Sequence, residues 1–517
     1  MTTIFRLSEQ LNASLDDGGF GMALWERGRE IFATRRVFVL GAGKSGTAVA
    51  RLLLKLGAHV YISEQKAQAA EWAYEMRALG AHVLFGQDDP DVLQALGIDL
   101  MVKNPGIPYR HPYVQRALKE HIPVLTEVEL AYRLWEGRII AVTGSNGKTT
   151  TSYLIHAMLE RAKLPTLLAG NVGTPLADAI DKTHPDLISV LELSSFQLKG
   201  TETFRPDVAV WLNLYPHHLD YHETIEDYTA SKARLFQHMR AHDTAVLNAE
   251  QSFFQDFART LRSDVIWFSR DRSTWFKTSS LVCPGGKGTE GKGGKAIFTE
   301  RIGGVHWAMF ASPEGEWPVF PLHELSLPGV HNLHNTLAAA ASVLALDRGE
   351  AAFRTALLNG IRETIRTFPG VPHRLEKVLE KDGIFYYNDA KATNPEATAS
   401  ALASFAQPVV WIAGGLERGE SFDPLKDFLT HPVVHAVFYG QTRERLRRWA
   451  EENSSIPVDV TDQLEMAITR AHQAAQAIVR TRGTPVVVLF SPACASWDMF
   501  PSFEVRGDIF RVVVHTL

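Results

Sequence analysis

Short apolar runs that end in polar, glycine-rich turns recur along the chain and predict an α/β fold. The run at 35–40 leads into a glycine turn at 41–46, and 47–56 has the apolar spacing of a helix. A second apolar run follows at 59–62. Strand, helix and strand in this order predict a parallel βαβ unit that begins near residue 35.

Two more series of alternating strands and helices follow. The second opens with an apolar run at 138–142, turns at 143–149 and continues as a helix over 150–162. The third begins near Tyr386 and includes the apolar run 486–490. Each apolar run gives way to polar residues at its carboxyl end, which is the edge of a parallel sheet where ligands bind.

The three series predict three α/β domains with parallel, doubly wound sheets. A turn with proline and glycine at 368–372 is a candidate hinge, and the Gly/Lys-rich stretch 284–295 predicts a flexible insertion. We expect this order along the chain: an N-terminal extension of unknown role at 1–34, a Rossmann-like domain at 35–126, a central P-loop mononucleotide-binding domain at 127–370 and a C-terminal Rossmann-like domain at 371–517.

Composition narrows the class of protein. The 517 residues contain 53 Lys and Arg against 58 Asp and Glu, a net charge of −5, so no nucleic-acid partner is expected. Cys283 and Cys494 are too few for a disulfide framework, which favours a reducing cytoplasm. The N-terminus lacks the pattern of a secretory signal, and the apolar runs are too short to span a bilayer, so we expect no membrane association.

The first glycine turn carries a weak dinucleotide fingerprint. Gly41, Gly43 and Gly46 have the GxGxxG spacing. Glu64 follows at the end of the second strand, where a ribose hydroxyl would lie. The turn could bind NAD or another nucleotide diphosphate, because the amino end of a helix attracts phosphate whatever the sugar or base. The alternative is a turn that only packs a helix tightly on a strand.

The second glycine turn is a stronger candidate for phosphate binding. Its sequence, TGSNGKT at 143–149, lies between a strand and a helix, as a P-loop requires. Backbone N–H groups there would face phosphate oxygens, Lys148 would neutralise β/γ charge and Thr149 would offer a hydroxyl to Mg²⁺. Val142 stands where the longer P-loop pattern has glycine, so the match is to a shortened TGxxGKT form.

Polar residues follow two further strands of the second series. Glu192 ends an apolar run, where a carboxylate could complete a Mg²⁺ shell of phosphate and water; otherwise it would be a helix cap or an exposed acid. The cluster NLYPHHLDYH at 213–222 contains three histidines and Asp220. Zinc is not favoured there, because neither cysteine nor HExxH spacing accompanies the histidines.

Ten segments occur in a fixed order along the chain. They are TGSNGKTT, GNVGTPL, LELSSFQL, NLYPHHLDYH, SKARLF, GVHNLHNTLAAAA, PHRLE, YYNDAKATNPEAT, AGGLERG and SPACASWDMFPSFEVRGDIF. In sequence and in order they resemble the motifs of the Mur ligases of peptidoglycan synthesis, from about Val37 to the C-terminus. The last segment is similar to that of the members that add D-glutamate.

The resemblance implies a cytoplasmic, ATP-dependent amide ligase of cell-wall precursor synthesis. The carboxylate of UDP-N-acetylmuramoyl-L-alanine would attack the γ-phosphate of ATP, giving ADP and an acyl phosphate. The amine of D-glutamate would then attack the acyl carbon. Two Mg²⁺ ions and Lys148 would offset charge on the transferring phosphoryl group. The implied partners are these three small molecules, and we expect a monomer.

The resemblance also implies the residues of the ATP site. The catalytic residues would be Lys148, Glu192, His218 and Lys232, and the metal would be held by Thr149, Glu192, His218 and the CO₂-carboxylated form of Lys232. The ATP-binding set would be Gly144, Ser145, Asn146, Gly147, Lys148, Thr149, Thr150, Asn171, Asn335, Arg374, Asp389 and Lys391. From residue type alone, Lys232 would instead be a solvated helix lysine. His217 stands where the family commonly has Asp, so it could share the role of His218.

The resemblance places the other two substrates in the outer domains. The UDP substrate would be bound by Gly43, Ser45, Glu64 and Asn104. The side-chain carboxylate of D-glutamate would be bound by Arg418, Ser496 and Phe503. Many members have Lys where this chain has Arg418, and a guanidinium adds a bidentate fork for a carboxylate.

Other classes of protein fit part of the sequence. A nicotinamide dehydrogenase would use 41–46 but would leave Lys148, Glu192 and the C-terminal segment without a role. A sister ligase, of the folylpolyglutamate or diaminopimelate-adding kind, shares the centre of the chain but should lack the SPACASWDMF segment. A non-catalytic binding protein is disfavoured because Lys148, Glu192 and His218 are all present.

Overall fold

The computed structural model describes residues 24–65, 71–86, 89–274, 294–327 and 329–517. These residues form two compact units. The first comprises the described residues up to Leu325 together with His331–Arg366, and the second comprises Ser326–Val330 and Thr367–Leu517. Within the described ranges, no helix combines the length and apolar character needed to cross a membrane.

The first unit begins with a five-stranded sheet in the order β3-β2-β1-β4-β5. Its strands are β1 (Arg36–Leu40), β2 (His59–Glu64), β3 (His82–Phe85), β4 (Leu100–Lys103) and β5 (Val124–Leu125). Its helices are Lys44–Lys55, Glu71–Ala78, Val92–Ala95 and Pro112–Lys119. All pairings are parallel, so the predicted βαβ unit is confirmed and the glycine turn lies at the carboxyl end of β1.

A nine-stranded sheet forms the centre of the first unit, in the order β14-β13-β12-β11-β10-β9-β6-β8-β7. Its strands are β6 (Arg138–Thr143), β7 (Thr166–Gly170), β8 (Ile188–Glu192), β9 (Val208–Trp211), β10 (Thr244–Asn248), β11 (Asp264–Phe268), β12 (Lys295–Ile302), β13 (Val305–Ser312) and β14 (Gly315–Pro321). Pairing is parallel from β7 to β12 and antiparallel from β12 to β14. The antiparallel edge was not predicted. The predicted insertion at 284–295 lies outside the described residues except for its last two positions, and Lys295 begins β12.

Helices complete this part of the unit. They are Glu127–Tyr132, Lys148–Arg161, Ser195–Leu198, Leu219–His222, Ile225–Ala233, Ser252–Ala258, Val330–Leu344 and Ala351–Thr367, with short 3₁₀ turns at Leu176–Lys182, Arg234–Phe236 and Leu322–Glu324. The inner strands are apolar on both faces because helices cover a parallel sheet from both sides. One hydrophobic core extends through this sheet and the five-stranded one, from Val37 to Trp211 and beyond, and a second cluster around Phe38 and Tyr113 packs on the five-stranded sheet.

The second unit is a six-stranded sheet in the order β15-β16-β20-β17-β18-β19. Its strands are β15 (Glu376–Lys381), β16 (Ile384–Asn388), β17 (Val409–Gly414), β18 (Val433–Tyr439), β19 (Val458–Val460) and β20 (Val486–Phe490). Its helices are Pro395–Leu402, Arg443–Asn453, Leu464–Arg482 and Phe503–Thr516, with a 3₁₀ turn at Asp423–Leu429. Only β15 is antiparallel among these strands, so the predicted doubly wound sheet is confirmed.

A helix precedes β1 within the segment that the sequence left without a role. Leu24–Phe32 buries Phe32 in the core of the first unit, and Trp25 and Ile31 pack against the same core. Gly28 faces Leu56, and a Cβ on Gly28 would lie 2.5 Å from that side chain. The spacing of Leu24, Gly28 and Ile31 was the available signal for a helical face.

Candidate functional site

The turn after β6 is shaped by two glycines and held by Lys148. Gly144 has φ 155° and Gly147 has φ 83°, conformations that other residues rarely adopt. The helix Lys148–Arg161 begins directly after Gly147. Lys148 Nζ donates to the carbonyls of Gly144 at 2.8 Å and Ser145 at 2.9 Å. The lysine therefore lies along the turn at the amino end of the helix, where a phosphate is favoured.

The loop after β9 fixes the rest of this turn. Ser145 Oγ donates to the Tyr215 carbonyl at 2.9 Å and accepts hydrogen bonds from the Tyr215 N–H and the Tyr228 hydroxyl. Asn146 N–H donates to Asn213 Oδ1 at 2.9 Å. Residues 149 and 150, the predicted threonines, lie buried in the first helical turn. Neighbouring parallel strands thus bring their polar ends to one edge of the sheet.

Glu192 ends β8 beside this turn with one carboxylate oxygen unpaired. The side chain is 2 % exposed, so the interpretation as an exposed acid is wrong, and the cap of the next helix is Ser194. Asn171 Nδ2 donates to Glu192 Oε1 at 2.7 Å. Glu192 Oε2 is buried and has no hydrogen-bond partner among the residues that the structure describes. A buried carboxylate oxygen without a donor lacks the compensation that such groups ordinarily have, which fits a place for a cation.

Lys232 is buried at the same turn. It is 1 % exposed, so the interpretation as a solvated helix lysine is wrong. Its Nζ donates to the Gly144 carbonyl at 2.9 Å and lies 4.6 Å from the centre of the Tyr228 ring. Burial, together with the nearby Lys148, lowers the pKa of Lys232 well below its usual range, although Glu192 acts against this shift. The neutral form of the amine is therefore favoured here more than in an exposed lysine.

Two of the three histidines of the segment 213–222, His217 and His218, lie in the loop after β9. Both are exposed, and their rings are 5.3 Å apart. The His218 ring lies 4.9 Å from Phe196, which places His218 against the segment that follows Glu192. In the part of the chain that the structure describes, no three His, Cys, Asp or Glu side chains form a group that could hold a metal. A metal here would need oxygen ligands from phosphate or water as well.

A cleft of about 200 Å³ opens beside the glycine turn. Asn335, a predicted ATP residue, lines the cleft and lies against the turn, since a Cβ on Gly147 would be only 2.3 Å from Asn335 Oδ1. The other lining residues are Leu212, Asn213, Tyr215, Asn248, Glu250, Gln251, Phe268, Arg270 and His334. The cleft is large enough for part of a nucleotide and shares a wall with the turn.

The sequence did not identify the charged group in this cleft. Arg270 Nη2 donates to Glu250 Oε2 at 2.7 Å, and His334 Nε2 lies 2.9 Å from Glu250 Oε1. Burial acts to raise the pKa of Glu250, but the hydrogen bonds from His334 and Arg270 outweigh it and lower the pKa. Glu250 and Arg270 belong to no phosphate-binding motif. The only feature of the sequence that could have marked them as site residues is their position just after the apolar runs that form β10 and β11.

The first glycine turn meets its predicted partners. Asn104 lies against the turn, since a Cβ on Gly43 would be 2.6 Å from Asn104 Nδ2. Glu64 Oε2 accepts a hydrogen bond from the Ala42 N–H at 3.0 Å. Ser45 lies in the first turn of the helix Lys44–Lys55. Glu64 thus supports the turn from the end of β2, and Asn104 does so from the end of β4.

The second unit brings together several of its predicted residues. Asp389 accepts hydrogen bonds from Ser491 Oγ at 2.8 Å and from the Leu375 N–H at 3.1 Å. Burial raises the pKa of Asp389 to about 7. Lys391 Nζ lies 5.8 Å from the centre of the Phe503 ring, which places a predicted ATP residue beside a predicted D-glutamate residue. Arg374 is exposed, just before β15.

Arg418 and Ser496 belong to adjoining loops of this unit. The Leu416 N–H donates to the Ala495 carbonyl at 2.9 Å, which joins the loop after β17 to the loop after β20. The Arg418 guanidinium stacks on Trp497, 4.8 Å from the ring centre. Ser496 itself is buried. The sequence did not identify Trp497 as the ring on which this guanidinium stacks.

Three family models match successive parts of the chain. They are the Mur ligase MurD-like N-terminal domain at residues 35–126, the Mur ligase middle domain at 142–343 and the Mur ligase glutamate ligase domain at 373–494. The chain belongs to the Mur ligase family, as its sequence motifs predicted.

Relatives within the family are similar over nearly the whole chain. A UDP-N-acetylmuramoylalanine--D-glutamate ligase of Geobacillus kaustophilus is 41% identical over 93% of this chain and 98% of its own length. The enzyme of the same name from Latilactobacillus sakei is 41% identical over 93% of this chain and 97% of its own length. MurF from Acinetobacter baumannii shares the fold, with a TM-score of 0.53 at 18% identity over 92% of this chain and 93% of that one.

Proposed function

We propose that this chain is an ATP-dependent ligase that joins D-glutamate to UDP-N-acetylmuramoyl-L-alanine, a step of peptidoglycan synthesis. The observation that carries the proposal is the 41% identity, over 93% of the chain, to a ligase named for this reaction. The geometry agrees with it, because Lys148, Lys232 and Glu192 surround one phosphate-binding turn. A nicotinamide dehydrogenase would leave this group of residues without a role.

The first chemical step is the transfer of the γ-phosphoryl group. The carboxylate of the UDP substrate attacks phosphorus, the bond to the β,γ-bridging oxygen breaks, and ADP leaves. Lys148 offsets the charge that this transfer spreads over the phosphate oxygens, and the backbone N–H groups of the first turn of the helix Lys148–Arg161 bind those oxygens. Asn171 and Asn335 border the same region. Arg374, Asp389 and Lys391 supply the nucleotide contacts of the second unit.

The residues present fit Mg²⁺. Glu192 would bind it through the unpaired Oε2, Thr149 through its hydroxyl and His218 through its ring, and two ions are expected. When bound, Mg²⁺ neutralises phosphate charge. The contribution of the protein is to hold the Glu192 carboxylate in place, which it does through the hydrogen bond from Asn171.

Lys232 is proposed to react with CO₂ to form a carbamate. The neutral amine attacks the carbon of CO₂, and one proton leaves the nitrogen. The burial and lowered pKa of Lys232 support this step, because only the neutral amine is nucleophilic. The product carries a negative charge beside Lys148, where a second ammonium would be repelled.

The second chemical step forms the amide. The D-glutamate amine attacks the acyl carbon, inorganic phosphate leaves, and the nitrogen loses a proton. Arg418, Ser496 and Phe503 are proposed to bind the side-chain carboxylate of D-glutamate, and Gly43, Ser45, Glu64 and Asn104 the UDP substrate. We also propose that the chain acts as a monomer.

A panel of amino acids tests the proposed function. The purified chain would be given ATP, Mg²⁺ and UDP-N-acetylmuramoyl-L-alanine with single amino acids of both configurations, and phosphate release would be measured. D-glutamate alone should support turnover. Turnover with meso-diaminopimelate instead would indicate a sister ligase, and cofactor reduction with NAD would indicate a dehydrogenase.

A further inference from the structure

A buried lysine lies beneath the turn that follows β4. Lys103 is 1 % exposed, and its Nζ donates to the carbonyls of Ile107 at 2.8 Å, Pro105 at 3.2 Å and Asn104 at 3.3 Å. It also donates to the Tyr221 hydroxyl at 3.1 Å. The amino group therefore contacts three carbonyls of one turn and the Tyr221 hydroxyl of the helix Leu219–His222, and it shares at most three N–H donors among these four acceptors.

Burial of this lysine is costly, and neutral groups compensate for it. The acceptors of its hydrogen bonds are three carbonyls and one hydroxyl, and none of its contacts among the described residues is a carboxylate. The rings of Tyr109 and Tyr221 lie 4.9 Å and 5.7 Å from Nζ. Burial lowers the pKa of Lys103 to about 7. A methionine would pack in similar space without that cost, so the presence of a buried amino group here needs another reason.

The turn that Lys103 contacts belongs to the proposed UDP site. The turn begins with Asn104, whose Oδ1 accepts a hydrogen bond from the Gly106 N–H at 3.2 Å. The Asn104 side chain in turn fills the space beside Gly43, so it lies directly against the first glycine turn. Lys103 thus fixes the carbonyls of the same short turn that presents Asn104.

Tyr221, the other partner of Lys103, lies beside the proposed metal residue His218. Tyr221 lies in the helix Leu219–His222, and its N–H donates to the His218 carbonyl at 3.1 Å. The Phe196 ring packs against Tyr221 at 4.4 Å and against His218 at 4.9 Å. The Tyr221 hydroxyl also donates to the Ile107 carbonyl at 3.2 Å. Lys103 and Tyr221 therefore join the turn at Asn104 to the segment that carries His218.

We propose that Lys103 is a positioning residue that holds the UDP-substrate turn and, through Tyr221, the His218 segment in register with each other. The inference rests on the proposed function, since it assigns Lys103 to two sites of that reaction. Lys103 touches neither substrate. It acts by fixing the backbone that carries Asn104 and the helix that follows His218.

The variant Lys103→Met tests the turn. Binding of UDP-N-acetylmuramoyl-L-alanine alone would be measured by calorimetry, and steady-state kinetics would give kcat and the KM for ATP. We expect the Kd for the UDP substrate to rise about ten-fold or more, kcat to fall about five-fold or more, and the KM for ATP to stay within about two-fold. Lys119→Met, an exposed lysine of the same sheet's helices, is the matched control and should match wild type.

The variant Tyr221→Phe tests the link. It keeps the ring and the three carbonyl contacts of Lys103 but removes the hydroxyl between the two segments. We expect the Kd for the UDP substrate to rise less than about three-fold while kcat falls about five-fold or more. Unchanged Kd in Lys103→Met, or unchanged kcat in Tyr221→Phe, would overturn the proposal.

A merely structural role makes a different pattern. It would lower the melting temperature and weaken UDP substrate and ATP alike in Lys103→Met, which also overturns the proposal. The binding measurement needs no turnover. Wild-type protein that binds the UDP substrate but does not ligate D-glutamate would overturn the proposed function, while the effect of Lys103→Met on binding would still decide the role of Lys103.

Discussion

The two glycine turns of the first unit have the same local design and different surroundings. Each follows a buried parallel strand and begins a helix, at 41–46 and at 144–147. Glu64, an acidic residue, accepts a hydrogen bond from the first turn, and Asn104, a neutral residue, packs against it. The second has Lys148 along it and Lys232 beneath it, with the unpaired oxygen of Glu192 nearby.

The difference between the turns lies in the side chains that other strands bring. A helix amino end attracts phosphate in either case. Chemistry on a phosphate also requires charge compensation and metal ligands. Lys44 of the first turn is exposed, whereas at the second turn Lys148 and Lys232 both contact the Gly144 carbonyl and, among the described residues, Glu192 Oε2 is left without a partner. We therefore propose that the first turn binds the UDP substrate and that the second turn serves phosphoryl transfer.

Lys148→Ala should separate the two turns most clearly. Loss of the ammonium removes charge compensation at the transferring phosphoryl group, so we expect kcat for ligation to fall by about 10³-fold or more. Kd for UDP-N-acetylmuramoyl-L-alanine, measured by calorimetry, should stay within about two-fold of wild type. If Lys148→Ala ligates at the wild-type rate, the second turn has no role in phosphoryl transfer.

Lys232→Ala should cause the next largest loss. If the carbamate supports the metal, we expect kcat to fall by about 10²-fold or more, and added formate or acetate at high concentration should restore part of it. The same acids should not restore Lys148→Ala, which lacks a cation rather than an anion. Full activity of Lys232→Ala, measured as phosphate release, would show that no carbamate is needed.

Replacing one glycine of each turn with alanine tests how strongly each turn depends on glycine for its stability. Gly147 has φ 83°, and a Cβ there would lie 2.3 Å from Asn335 Oδ1, so Gly147→Ala should lose about 1–3 kcal/mol of unfolding free energy. Gly43 has φ −65°, and its Cβ would meet only the movable amide of Asn104. Gly43→Ala should lose less than about 1 kcal/mol. Chemical denaturation measures both, and equal losses would contradict the comparison.

The smallest expected effect concerns pH. Because the folded protein lowers the pKa of Glu250, the ionised carboxylate stabilises the fold above its ordinary pKa, and this contribution is lost as pH falls below about 4.5. Glu250→Gln should lose about 1–2 kcal/mol of unfolding free energy at pH 7, and the difference from wild type should shrink on acidification. Glu226→Gln, at an exposed acid, should show neither effect; an equal response of both variants would contradict the assignment.

The sequence by itself determined the fold class and the ends of the central strands. Apolar runs followed by polar residues predicted β1, β6 and β20 because a strand covered on both faces must be apolar throughout. The TGSNGKT motif predicted the turn before Lys148 for a similar reason: its glycines are local requirements of the backbone. Ordered motifs then indicated the family, which the relatives confirm.

Only the tertiary structure decided which side chains are buried and which groups they contact. Lys232 lies in a polar helical segment and reads as a solvated lysine, yet the fold places its amine 2.9 Å from the Gly144 carbonyl and removes it from water. Glu250, Arg270 and His334 are far apart in sequence and form one charged group in the cleft. The helix Leu24–Phe32 and the antiparallel strands β12–β14 were missed as well. The burial of a residue and its pairing depend on which distant segments pack against it. The periodicity of one segment contains no information about those distant segments.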